Sequence, residues 1–171
     1  MKVPIELKIN YKTELKAFTD LIVVSLLWIP ASMIFVFILP SFVPFLAMIG
    51  SYLILFFFPV IYLHTNYELE NKNKILILGQ GIVKYGELKI TENEIKKITA
   101  IGSGKSLNIE NFARLAHMSG YYYLENETYN GEKIFVTSLF SDKLLFYFEL
   151  SFPNIRIKKQ KEFYPIIKNC G

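Results

Sequence analysis

The strongest constraint in this chain is a long absence of charge. Between Leu21 and Leu63 lies a run of 43 residues without a single Asp, Glu, Lys or Arg. All 19 basic and 15 acidic residues fall outside it. One membrane-spanning helix needs about 20 apolar residues, so a single span leaves half of the run unused. Two spans fit if the chain reverses near the middle. Leu39-Pro40-Ser41-Phe42-Val43-Pro44 supplies the reversal, because proline removes a backbone donor and disfavours helix at the residue before it. The expectation is a transmembrane helical hairpin over residues 18–64. Its helices are expected near Phe18 to Leu39 and Pro44 to Leu63, each roughly 30 Å long at about 1.5 Å per residue.

Pro30 and Pro59 fall inside these helices and predict kinks, which spanning helices tolerate when neighbours satisfy the freed groups. No ionisable residue lies within either span, which argues against an ion path or proton relay. Ala47, Gly50 and Ser51 form a small-residue patch, a candidate helix-packing surface within the hairpin or in a homo-oligomer. Lys2, Lys8, Lys12 and Lys16 precede the hairpin, no Lys or Arg lies in its connection, and the other 15 follow it. The positive-inside rule then puts both ends in the cytoplasm of a multi-pass cell-membrane protein. Residues 1–17 read as a cytoplasmic amphipathic arm without a cleavable signal peptide.

Residues 65–171 read as a separate, mainly antiparallel β domain. Tyr67 to Glu70 and Lys74 to Leu78 suggest a hairpin around Asn71-Lys72-Asn73. Ile82 to Gly86 and Glu87 to Ile90 suggest further short strands. Thr91-Glu92-Asn93-Glu94 carries a capping-box pattern that starts one short turn before a strand over Ile95 to Ile101. Tyr121 to Glu125 and Lys133 to Leu139 flank Asn130-Gly131, a strong hairpin signal. Lys143 to Leu150 reads as a central strand and Ile155 to Lys158 as another alternating strand. Gln160 to Asn169 reads as a short C-terminal helix, and Asn111 to Met118 suits a helix as well as a loop. The expected class is an α+β membrane protein whose β domain is a sandwich or partly open barrel.

The hairpin followed by Thr65-Asn66-Tyr67-Glu68-Leu69, Lys74-Ile75-Leu76-Ile77, Gly86-Glu87-Leu88-Lys89-Ile90 and Glu94-Ile95-Lys96-Lys97-Ile98 resembles small bacterial membrane proteins that carry a pleckstrin-homology-like (PH-like) domain. The resemblance implies a PH-like β domain with no catalytic residues to carry over.

Chemical motifs are sparse. Gly102-Ser103-Gly104-Lys105-Ser106 resembles the end of a phosphate loop, but Thr99 stands where the first glycine belongs and no strand–helix frame surrounds it. His64 and His117 lack further metal ligands, and Cys170 alone excludes a zinc cluster. Ser138, His117 and Asp142 have no nucleophile elbow around them. No catalytic, cofactor or metal residue is therefore expected. Arg156, Lys158, Lys159 and Lys161 are the candidate contacts to anionic lipid or a partner, because each Lys or Arg near an anionic surface contributes about 1 kcal/mol. The region after the hairpin holds 15 basic and 12 acidic residues, too mild an excess for nucleic acid. The functional expectation is a non-enzymatic binding module held on a lipid bilayer, contacting protein or anionic lipid. The alternative is an accessory subunit of a larger membrane complex.

Overall fold

The computed structural model describes residues 4–38, 42–103, 107 and 120–168. The Leu39–Ser41 part of the expected reversal, the Gly104-Lys105-Ser106 loop, the Asn111–Met118 segment with His117, and Cys170 lie outside these residues.

Two four-stranded sheets carry the domain. The first has the order β1-β2-β3-β4, formed by Ile5–Leu7, Leu76–Gly79, Ile82–Tyr85 and Leu88–Thr91. The second has the order β7-β6-β5-β8, formed by Lys133–Thr137, Tyr122–Thr128, Ile95–Gly102 and Lys158–Lys161. All pairings are antiparallel except β5 with β8. Glycines serve the tight turns: Gly81, at φ +65°, joins β2 to β3, and Gly131, at φ +84°, follows Asn130 between β6 and β7. The Thr91–Glu94 capping box forms as expected, with the Glu94 carboxylate accepting from the Thr91 N–H and hydroxyl at 2.7 and 2.8 Å.

Helices α1 (Tyr11–Ala17), α2 (Thr19–Ile38), α3 (Phe42–Tyr52) and α4 (Phe58–Asn71) are inserted between β1 and β2. Asn10 caps α1 by accepting from the Lys12 and Thr13 N–H groups, while Thr13 Oγ1 accepts from the Asn10 N–H. The chain bends by 49° between α1 and α2. Helix α2 runs through Pro30 without ending. Helices α3 and α4 form one 30-residue helix, Phe42–Asn71, which contains a π-turn at Leu53–Phe57. There the Phe58 N–H reaches back five residues to the Leu53 carbonyl. The extra residue in that turn widens the helix just before Pro59, whose ring would otherwise meet the carbonyl four residues earlier. Trp28 Nε1 donates to the Met48 carbonyl at 3.2 Å, and Ser25 meets the Tyr52 hydroxyl. Contact positions that rise in α2 as they fall in α3 make the two helices antiparallel.

Two cores follow from the alternation of the second sheet. Ile98, Ala100, Leu124 and Val136 point to the first sheet, where they meet Leu76, Leu78, Val83 and Tyr85. Helix α5 (Leu144–Ser151) closes this core with Leu144 and Phe148, followed by Phe152. Residues of the opposite parity, Ile101, Tyr123 and Phe135, face outward and meet Val60, Leu63 and Tyr67 of α4. A sheet with one face on the core usually leaves the other to water. Here α4 covers that face.

Several expectations change. The Tyr67–Glu70 segment is the last turn of α4 rather than a strand, because Val60, Leu63, His64, Tyr67 and Asn71 recur at helical spacing on its buried side. Residues 144–151 are helical, with buried Leu144, Phe148 and Ser151 at spacings of four and three. The last strand is Lys158–Lys161, with no strand at Ile155–Ile157. Residues 162–168 continue without helix, so the expected C-terminal helix is replaced by an irregular tail that bends at Phe163 and Tyr164. The N-terminal arm contributes β1, paired Ile5 to Leu78 and Leu7 to Leu76. The β domain therefore starts before the helices.

A polar knot fixes α4 to both sheets. Asn71, 1% exposed, donates to the Tyr67 carbonyl and to Thr137 Oγ1 of β7. Its Oδ1 accepts from the Tyr85 hydroxyl of β3 at 3.0 Å. Asn71→Ala leaves these buried groups without that partner and should cost about 2–3 kcal/mol. The melting midpoint of the detergent-solubilised chain should fall accordingly, whereas Asn154→Ala at an exposed position should leave it unchanged.

Candidate functional site

The sequence-derived basic cluster gathers at one edge of the second sheet. Lys158, Lys159 and Lys161 lie on β8, whose four side chains are all exposed. Arg156 is exposed just before it, between Ile155 and Ile157, which pack partly on the inter-sheet core. Backbone pairing holds β8 in place: Lys158 pairs with Thr99 and Lys161 with Gly102 in parallel register, and the Glu162 N–H donates to the Gly102 carbonyl at 2.9 Å.

The tail beyond β8 is clamped on α4. Tyr164 stacks on Tyr62 with ring centroids 6.5 Å apart, and its hydroxyl donates to the Pro59 carbonyl. Burial and the neighbouring Tyr62 raise the Tyr164 phenol above its ordinary pKa, so it stays a neutral donor. The Tyr67 hydroxyl donates to the Pro165 carbonyl at 2.9 Å. Asn66 brackets Ile167, donating to its carbonyl at 3.2 Å and accepting from its N–H at 3.0 Å. Sequence reasoning missed these partners of the tail. Phe163, at 71% exposed, sits at the turn of this tail.

Other candidates have structural partners. Ser138 Oγ donates to the Gly120 carbonyl and accepts from the Tyr122 N–H. Asp142 pairs with Lys16 at 2.6 Å, and that ammonium lowers its pKa. His64 is buried against the Phe18 ring at 4.2 Å, with Nδ1 3.2 Å from the Tyr121 hydroxyl. It is a core residue. Ala47 is exposed, and a Cβ added at Gly50 would meet nothing within 4 Å. Ser51 is partly buried and bonds back to the Met48 carbonyl. At the far end of α4 an open cleft of about 410 Å³ is lined by Lys8, Glu14, Glu68, Lys72 and Lys74 among others. Its mixed charge favours neither sign of ligand.

Helix Phe42–Asn71 is long and apolar enough to cross a membrane, and Tyr11–Ala17 with Thr19–Ile34 passes the same test as a bent pair. The two-sheet architecture, with antiparallel meanders and a closing helix, is compatible with a PH-like domain. A family model described as "PH domain" matches residues 6–147. The match runs from β1 into α5 and includes the inserted helices. The chain belongs to the PH domain family, and PH domains commonly bind lipids or proteins. No curated protein and no solved structure matches the chain.

The Asn66 clamp predicts a local effect. Asn66→Ala should raise amide hydrogen exchange at Ile167 about tenfold, the equivalent of roughly 1.4 kcal/mol of lost hydrogen bonding. Amides of β5 and β6 should exchange as before.

Proposed function

We propose that the chain is a membrane-anchored PH domain that acts by binding rather than catalysis. Helix α2 and the Phe42–Tyr62 part of the continuous α3–α4 helix cross the bilayer as a hairpin, both termini stay in the cytoplasm, and the sheets are held at the cytoplasmic face to contact anionic lipid or protein. The observation that carries this reading is the apolar surface of the helix pair. Leu26, Leu27, Ile38, Phe42, Val43 and Ile54 are each about two-thirds exposed or more. Soluble monomers rarely expose contiguous apolar patches beyond a few hundred Å², and hydrocarbon removes the penalty.

Topology supports two crossings over one. Strand β1 precedes the helices, β2 follows them, and the two are hydrogen-bonded neighbours. A chain that leaves and rejoins one sheet crosses a membrane an even number of times. The four lysines before the hairpin and the 15 basic residues after it favour the cytoplasm for that sheet.

Cysteine labelling tests the topology. With Cys170 replaced by Ser, Ser41→Cys in intact cells should react with a membrane-impermeant maleimide. Lys12→Cys and the native Cys170 should react only after permeabilisation. Labelling of position 41 only after permeabilisation would overturn the crossing.

A further inference from the structure

Resting on the membrane-anchored reading, we propose that residues 158–164 form a lipid-contact strap. In it Phe163 and Tyr164 seat in the headgroup boundary of the same bilayer, and the lysines of β8 bind anionic phospholipid headgroups below them. The hydrocarbon core is about 30 Å thick, and a helix rises about 1.5 Å per residue. The interval from Phe42 to Tyr62 therefore spans it, which sets Tyr62 at its inner edge. Tyr62 is 60% exposed and stacks on Tyr164, so the turn of the tail lies at the same level. Tyrosine suits this boundary because its ring is apolar and its hydroxyl polar.

The direction of β8 follows from its neighbours. Tyr121 packs at His64 and Tyr67, whereas Tyr123 packs at Tyr67. Strand β6 thus leads away from the helix pair. Strand β5 is antiparallel to β6 and β8 parallel to β5, so both climb toward the bilayer. Lys161 is nearest the boundary, and Lys158 lies about 10 Å lower at roughly 3.3 Å per residue. Charge interactions fade over about 8 Å at physiological salt. The lysines should therefore contribute in the order Lys161, Lys159, Lys158, and Arg156 should add little. Charge complementarity and continuity with the apolar helix surface make an anionic bilayer the occupant.

Depth-dependent quenching in the full chain tests this. One variant carries Trp28→Phe with Phe163→Trp, and the wild type keeps Trp28 as a reporter of the hairpin. Both are reconstituted in phosphatidylcholine vesicles with and without phosphatidylserine, containing lipids spin-labelled at the headgroup or at the chain end. The tryptophan at 163 should emit blue-shifted from its value in water and be quenched best by the headgroup label. Phosphatidylserine should increase that quenching. The increase should be lost in Lys158/Lys159/Lys161→Gln, with Lys161→Gln alone losing more of it than Lys158→Gln. A water-like, unquenched tryptophan at 163 beside a chain-quenched Trp28 would overturn the strap while the anchor stands. An unquenched Trp28 would overturn both. Shielding of position 163 in native membranes but not in protein-free anionic vesicles would overturn lipid in favour of a protein partner.

Discussion

Everything in this molecule turns on the packing of α4 against the outer face of the β5–β6–β7 sheet. Val60, Leu63 and Tyr67 are fully buried there, and burying a Val or Leu side chain contributes about 1.5–3 kcal/mol. The sheet answers with aromatic residues where solvent-facing strands carry polar ones: Tyr121 and Tyr123 stand edge-on to Tyr67, and Phe135 edge-on to Tyr123. Because α4 continues into α3 without a break, this contact also sets the angle at which the apolar helix pair leaves the sheets. A flexible tether would let the domain turn freely against a bilayer. A continuous helix whose Val60–Asn71 end is buried in the domain core does not.

Hydrogen bonds between polar groups reinforce this seam. Asn71 ties the end of α4 to β3 and β7, while Asn66 and Tyr67 hold the tail. Buried polar groups are costly unless paired, so these bonds specify one register of helix on sheet more than they add net stability. The same seam explains the tail's non-helical course. Between Gly102 and Ile167 it follows hydrogen-bond partners offered by β5 and α4, and Pro165 has no N–H to give to a helix.

How legible this was from sequence depended on whether the signal was local. The charge-free run, the Asn130-Gly131 hairpin and the Thr91–Glu94 cap are set by neighbours in the chain, and they stand out. Tyr67-Glu68-Leu69-Glu70 alternates and also fits a helix, and the choice was made by packing partners such as Tyr121, Tyr123 and Phe135, more than 50 residues away. Leu144 to Ser151 is rich in aromatic residues that favour strands, yet its buried positions recur as a helix needs. Strand β1 is three residues long, and its partner lies beyond four helices. Strand β8, Lys-Lys-Gln-Lys, has no apolar pattern, because only its backbone is used. At the candidate site the lysines were visible as a basic run. Phe163 and Tyr164 drew no notice, because their meaning comes from Tyr62 and Pro59, about 100 residues earlier.

Insertion of the helices between β1 and β2 has a consequence for any binding role. In most tethered modules the anchor joins at one terminus, and the domain folds whether or not the anchor is seated. Here the first strand of one sheet can pair only after the helix pair has returned to the domain, and the outer face of the other sheet is covered by α4 together with Leu21 of α2 and Ile167 of the tail. The sheets and the apolar pair are therefore parts of one cooperative structure. Loosening the pair should loosen the face that it covers, together with the tail clamped on α4. On the proposed membrane-anchored reading, seating of the helix pair and the geometry of the basic edge are coupled through α4, without a separate switch.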